Sequence, residues 1–326
     1  MTIVVGFSPD KGGRSTLELA VLLARSGRAE PLLVTTVTPQ HWTTPSMAKV
    51  DAEFQAWATG QGNAALAQAR DLLAAKAPEL EVSYRQVAGR SVPAALARAC
   101  ADGQGSLLVL GSSRDGRPGQ VVLGSTSEPL LHSSAVPVAI APRGYRAHCT
   151  GISRLTCSYS GAEESGDLLV AVAEMSRRVG GTLRVVTFGV RGRTMYPPEV
   201  GLHAEDVVLD QWRTQVGELQ SEALVRLSEL GLLPDSATAA IATGPDWADV
   251  MDDLEWDHGE ILVVGSSPLG TLARVFVGSR ATKIIRYSPV PVVVVPAAVA
   301  SKVAEEVETD SSAGPENETA GEPPVA

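Results

Sequence analysis

The 326-residue chain has only three cysteines, Cys100, Cys149 and Cys157. They are too few and too scattered for a disulfide framework, and none stands in a CxxC pair that would hold zinc or cycle with a disulfide. A reducing compartment is the expectation. No apolar run approaches the ~18 residues that cross a bilayer, and Met1 leads directly into Ile3-Val4-Val5 without a basic segment and a long apolar one. The chain therefore reads as cytoplasmic, with no membrane partner. A basic surplus is missing as well: 27 Lys and Arg against 37 Asp and Glu leave a formal charge of −10. Generic nucleic-acid binders need a positive field to displace counter-ions from phosphates, so no nucleic-acid partner is expected. The tryptophans do not alternate with basic residues, which removes a stacking platform for single strands.

Chemical motifs are equally sparse. The histidines at 41, 132, 148, 203 and 258 never fall at helical metal-ligand spacing, and no metal site is expected. No Gly-x4-Gly-Lys-Ser/Thr loop exists, which excludes phosphate-loop NTPase chemistry. The carboxylates of Asp249-Val-Met-Asp-Asp-Leu-Glu-Trp-Asp257 read as the solvated face of a helix. No nucleophile with a matched base is visible, so catalysis has no positive support.

What the chain does have is a repeat. Leu131-His-Ser-Ser-Ala-Val-Pro-Val-Ala-Ile-Ala-Pro142 returns as Ile285-Arg-Tyr-Ser-Pro-Val-Pro-Val-Val-Val-Val-Pro296, a shift of 154 residues. The same shift maps Gly111-Ser-Ser113 onto Gly265-Ser-Ser267 and Gly124-Ser125 onto Gly278-Ser279. Anchors at one offset mean a duplicated domain, with copies at 1–146 and 151–299. From Ser301 to Ala326 seven acids face one lysine, Lys302, with Ser, Gly and Pro throughout and no aromatic residue. That composition cannot bury enough apolar surface to offset ordering, so residues 300–326 are expected to be a disordered acidic tail. Deleting everything after Ala300 is expected to leave folding nearly unchanged.

Within each copy, short β-branched runs alternate with longer helical patterns. The first copy predicts strands at Ile3–Phe7, Leu32–Val37, Val82–Val87, Leu107–Leu110 and Val138–Ile140, with helices near Ser15–Arg25, Val50–Ala75, Val92–Ala101 and Val121–His132. The second predicts strands at Leu155–Tyr159, Leu183–Phe188, Thr238–Ala242, Ile261–Val264 and Val292–Val295, with helices near Asp167–Arg178, Asp206–Leu230, Trp247–Asp253 and Arg274–Arg286. This is an α/β architecture of tandem, doubly wound parallel sheets, whose ligands sit beyond the carboxyl ends of the strands where strand order reverses. The fifth strands, Val136-Pro-Val-Ala-Ile140 and Val290-Pro-Val-Val-Val-Val295, would leave long apolar edges.

After the fourth strand the first copy reads Gly111-Ser-Ser-Arg114, nine residues, then Gly124-Ser125-Thr126. With the following Val-Pro-Val strand and the duplication, this resembles the universal stress protein family, whose ATP-binding members carry Gly, two residues, Gly, nine residues, Gly, then Ser or Thr. The resemblance covers nearly the whole chain apart from the tail. It implies five-stranded domains of the adenine nucleotide alpha hydrolase-like fold, and ATP or another adenine nucleotide, a small anionic ligand, held in the first copy. Glycines let backbone approach phosphate oxygens, and amides and hydroxyls donate to them. The implied ligand residues are Ser8, Asp10, Gly111, Ser112, Arg114, Gly124, Ser125 and Thr126, with Gly265, Gly278 and Ser279 as a degenerate set in the second copy.

Both copies depart from the pattern. Arg114 and Pro268 stand where the second glycine belongs, and Pro268 supplies no amide. Where ATP-binding members usually carry an Asp after the first strand, this chain has Ser8 and Ser158; Asp10 lies two residues late, as a turn residue or a displaced ribose ligand. Two other readings stay open: a nucleotide-free dimeric scaffold and a slow ATP hydrolase. In the family the fifth-strand edges commonly pair, so self-association of the copies about a pseudo-twofold axis is expected, within the chain or between two chains.

Overall fold

The computed structural model describes residues 2–10, 12–40, 48–191, 201–268 and 275–312. The first copy runs β1 (Thr2–Gly6), α1 (Gly13–Ser26), β2 (Leu32–Pro39), α2 (Ala48–Lys76), β3 (Val82–Gly89), α3 (Val92–Asp102), β4 (Gly105–Gly111), α4 (Ser127–Leu131) and β5 (Val138–Ala141). The second runs β6 (Arg154–Ser158), α5 (Glu163–Val179), β7 (Thr182–Val190), α6 (Gly201–Glu229), β8 (Thr238–Gly244), α7 (Trp247–Asp252), β9 (Glu260–Gly265), β10 (Ser267–Pro268), β11 (Val275–Phe276), α8 (Ser279–Tyr287) and β12 (Val292–Val295). A last helix, α9 (Ala297–Ser312), follows.

Local chemistry sets the element ends. Gly12, left-handed at φ 74°, begins α1, a conformation that costs a β-carbon-free residue little. Ser91 caps α3 by accepting the Ala94 N–H, and Asp246 caps α7 by accepting from Ala248 and Asp249. Acids Glu163 and Glu164 open α5 while Arg177 and Arg178 close it, each favourable to the helix dipole.

The main strands form a single ten-stranded sheet in the order β3-β2-β1-β4-β5-β12-β9-β6-β7-β8. Every neighbouring pair is parallel except β5 and β12, which run antiparallel. Ala139 faces Val293, its own counterpart at the 154-residue shift, and Val138 and Ile140 face the counterparts of each other, Val294 and Val292. That reciprocity is the mark of a twofold contact, here made inside the chain. The fifth-strand edges thus satisfy each other.

Strand alternation feeds a core on each face. Ile3, Val5, Val34, Ala139 and Val293 turn toward α1, α2, α5, α6 and α9, packing on Leu19, Leu73, Leu168, Leu227 and Ala304. Val4, Leu33, Leu108, Ile140 and Val292 turn toward α3, α4, α7 and α8, packing on Leu96, Leu130, Met251 and Ile285. Both cores continue across the β5–β12 seam, so residues of the two copies share each one.

Three sequence expectations are corrected. Between Val121 and Thr126 there is no helix: Ser113 N–H bonds to Val122 O, and just before it Arg143 N–H bonds to Gln120 O while Gly119 N–H bonds to Arg143 O, so the segment is tied to the β4 loop and to the connection after β5. The helix is left with Ser127–Leu131. In the second copy, Val275–Phe276 pairs antiparallel with Ser267–Pro268, so the expected helix from Arg274 starts only at Ser279; Arg274 itself lies outside the described residues. Finally, residues 301–312, assigned above to a disordered tail, continue α9: Ala300 and Ala304 are buried, Ser301 donates to Asp167 at 2.6 Å, and Arg226 pairs with Glu308. The remainder of the expected tail, 313–326, lies outside the described residues.

Candidate functional site

In the first half of the sheet, β1 lies between β2 and β4, and the order runs outward from β1 on one side and from β4 on the other. This is the switch point at which parallel sheets bind ligands. A cavity of about 480 Å³ opens there, beyond the carboxyl ends of β1, β2 and β4.

One wall is apolar. Val37, Val92, Leu96 and Leu110 form it, and Phe7 lines the cavity from the α1 side of the sheet. Gly6 at the end of β1 keeps it open, since a β-carbon there would stand 2.8 Å from the Leu110 Cδ2. Thr35, at the back of this wall, is fully buried and its hydroxyl has no hydrogen-bond partner. Such an orphan is costly and unusual in a packed strand.

The opposite wall is a polar loop system. Ser8, Gly111, Ser112, Ser113, Arg114, Asp115, Gly124, Ser125 and Thr126 all line the cavity. Their tasks differ. Ser112 is buried, and its hydroxyl accepts the Val122 N–H at 2.7 Å, clipping the segment after the loop onto the end of β4. Ser127 does the same for the next turn by accepting the Gly124 N–H at 2.9 Å. Arg143, from the connection after β5, holds the loop from outside by donating to Gly116 O. These hydroxyls and this cation are committed to loop shape, while Ser113, Arg114, Ser125 and Thr126 remain toward the opening. Gly124 packs tightly, a β-carbon there falling 3.2 Å from the Ser113 Cβ.

The loop after β1 meets this system directly. Gly12 lies so close that a β-carbon would come within 3.2 Å of Ser112 O. Asp10 stands in the exposed turn before it, outside the cavity lining, and its Oδ1 lies 3.6 Å from the Arg114 guanidinium. Asp10 thus stands in a turn and not in the lining. Of the residues named from sequence for this copy, Asp10 alone is outside the lining. Reading only the loops after strands one and four missed Thr35, Thr36 and Val37 at the end of β2, and Val92 and Leu96 on α3. The carboxyl-end rule names every strand's exit, so β2 was within its reach.

In the second copy Gly265 ends β9 and Gly278 precedes α8, with Ser279 its first residue. Pro268 pairs with Val275 in the β10–β11 hairpin, where the first copy has its Arg114 loop. The first copy makes the corresponding closure, Ser113 N–H to Val122 O, so the described ends of the two loops are held alike and differ in the residues they carry, Arg114 against Pro268.

The model of the universal stress protein family matches residues 1–142 and 152–296. Universal stress proteins of Mycobacterium tuberculosis and Mycobacterium bovis are each 47% identical over 296 residues, covering 91% of this chain and 100% of the relative. The crystal structure of a universal stress protein from Archaeoglobus fulgidus superposes with a TM-score of 0.64 at 17% identity, over 91% of this chain and 98% of that one. A Pseudomonas aeruginosa structure described as a putative universal stress protein gives 0.53 at 14% identity, over 95% and 97%.

Proposed function

Because the chain belongs to the universal stress protein family, in tandem form, we propose that its first copy binds ATP or another adenine nucleotide in the β1–β4 cleft. On this reading the protein acts in the stress response by binding and signalling, not by turnover. The observation that carries it is the division of the cleft: an apolar wall suited to a base, opposite a glycine and hydroxyl loop suited to phosphates. Among the described residues, the lining holds no histidine, and its carboxylate, Asp115, is engaged by the Ser113 hydroxyl of the same loop, which favours binding over hydrolysis. A cytoplasmic setting is supported by cysteines that are all free thiols.

The second copy is a degenerate counterpart. Pro268 removes an amide at the point where the loop would wrap phosphate. This observation favours a scaffold role for that half, so one ligand per chain is the expected load.

The test is mass spectrometry of small molecules released from purified protein, paired with calorimetric titration of ATP and AMP. An adenine nucleotide near one per chain, or saturable heat below millimolar ligand, supports the reading. No released nucleotide and no heat up to millimolar ligand overturns it in favour of a nucleotide-free scaffold.

A further inference from the structure

The mouth of the first cleft carries an ion pair where the family pattern has none. Arg114 replaces a glycine of the loop, and its guanidinium reaches across to Asp10 of the turn after β1, so the contact spans the two loops that bound the opening. The pair is loose. Its separation is 3.6 Å, and the side chains are 59% and 86% exposed. Contacts this exposed hold little free energy, because water and salt screen them.

We propose that Arg114 is an exchangeable counter-ion: it rests on Asp10 in the empty cleft and transfers to the terminal phosphate of a bound nucleotide, making the site selective for ligands that end in a dianionic phosphate. The proposal rests on the nucleotide reading above and adds to it the element that chooses among nucleotides. Guanidinium pairs with phosphate oxygens through charge-assisted, bidentate hydrogen bonds, which are stronger than a single long contact to a solvated carboxylate. Among the described residues, Arg114 is also the only cation in the cavity lining. Arg143 is committed to Gly116 O. The other charge in the lining is Asp115, which accepts from Ser113 Oγ at 3.0 Å. A neutral nucleoside, or a cyclic monoanion, offers too little charge to draw Arg114 from Asp10. A chain end bearing two negative charges does.

Calorimetric titrations of the full chain with adenosine, AMP and ATP, on the wild type, Arg114→Gln, Asp10→Asn and the double variant, test this. Arg114→Gln is expected to weaken ATP about tenfold and leave adenosine unchanged. Asp10→Asn removes the competitor, strengthening ATP several-fold when Arg114 is present and not when it is combined with Arg114→Gln. Circular dichroism spectra should be alike for all four, since both side chains are exposed. If ATP binds and neither variant changes its affinity, the exchange is wrong while the nucleotide reading stands. An Asp10→Asn gain that persists without Arg114 also overturns the exchange, because it shows simple repulsion by Asp10. If no ligand binds any of the proteins, the nucleotide reading fails, and the exchange with it.

Discussion

Glu260 has no exposed surface, yet its carboxylate accepts from Arg184 at 2.5 Å, Arg154 at 2.7 Å, Asp257 N–H at 3.0 Å and the Thr156 hydroxyl. Arg184 in turn lies over the Trp256 ring at 4.8 Å, and burial pulls its pKa down against the pull of Glu260. Glu260→Gln should therefore cost about 3–5 kcal/mol, because it leaves Arg184 buried without its counter-charge. A guanidinium-chloride midpoint close to wild type would contradict it. Glu174 gives a milder, pH-dependent case: the hydrogen bond from Arg177, then that from Arg178, holds its carboxyl below the ordinary 4.5 despite some burial. Its folded pKa lies below the unfolded one, so the stabilisation is full above pH 4.5 and fades as pH falls through the lowered value. Glu174→Gln should flatten that part of the acid limb in urea midpoints, and an unchanged limb would count against the pairing. The thiols rank in a similar way. Burial raises all three thiols, Cys100 to about 11 and Cys157 further, but Cys149 alone is partly exposed, next to the tilted ring pair of His148 and His258. Iodoacetamide at neutral pH should label Cys149 first and the others only on unfolding. Of these, only Glu174 with Arg177 and Arg178 stands at a helical spacing that sequence displays. Glu260 meets Arg184, Thr156 and Arg154 across separations of 76 to 106 residues, and only the fold brings them together.

At the scale of elements, hydrophobic period and turn chemistry located the main strands and most helices, because parallel strands buried on both faces read as unbroken apolar runs. Two elements escaped that reading for different reasons. The segment before α4 has helical spacing, but the β4 loop competes for its backbone through Ser112 and wins. In α9 the acids and serines obscured a stripe at Ala300, Ala304 and Val307, which are spaced as one helical face and pack into the core shared with α5. Composition argued for disorder where periodicity argued for docking. Deletion from Ser301 onward should now lower stability by about 2–3 kcal/mol, through the lost burial of Ala304 and the lost Ser301–Asp167 bond. A melting temperature equal to wild type would restore the view that this segment is detachable.

For the whole molecule, the 154-residue repeat already implied two similar halves with apolar fifth strands, but not whether those strands meet within one chain or between two. The register of Ala139 opposite Val293 answers this with a pseudo-twofold inside the chain. Light scattering at micromolar concentration should accordingly give the mass of one chain, and a two-chain mass that survives dilution would mean that the fifth strands exchange partners. The residues at the two clefts do not follow the twofold. Arg114 reaches Asp10 at the mouth of one, and Pro268, which has no amide hydrogen to donate, stands at the position of Arg114 in the other. That asymmetry makes stoichiometry the most direct test of the nucleotide reading. Native mass spectrometry of the chain with ATP should show one nucleotide per chain, lost in Gly124→Asp, which sets a carboxylate into the glycine loop where even a β-carbon lies 3.2 Å from Ser113. No bound nucleotide in the wild type, two per chain, or full occupancy in Gly124→Asp would contradict it.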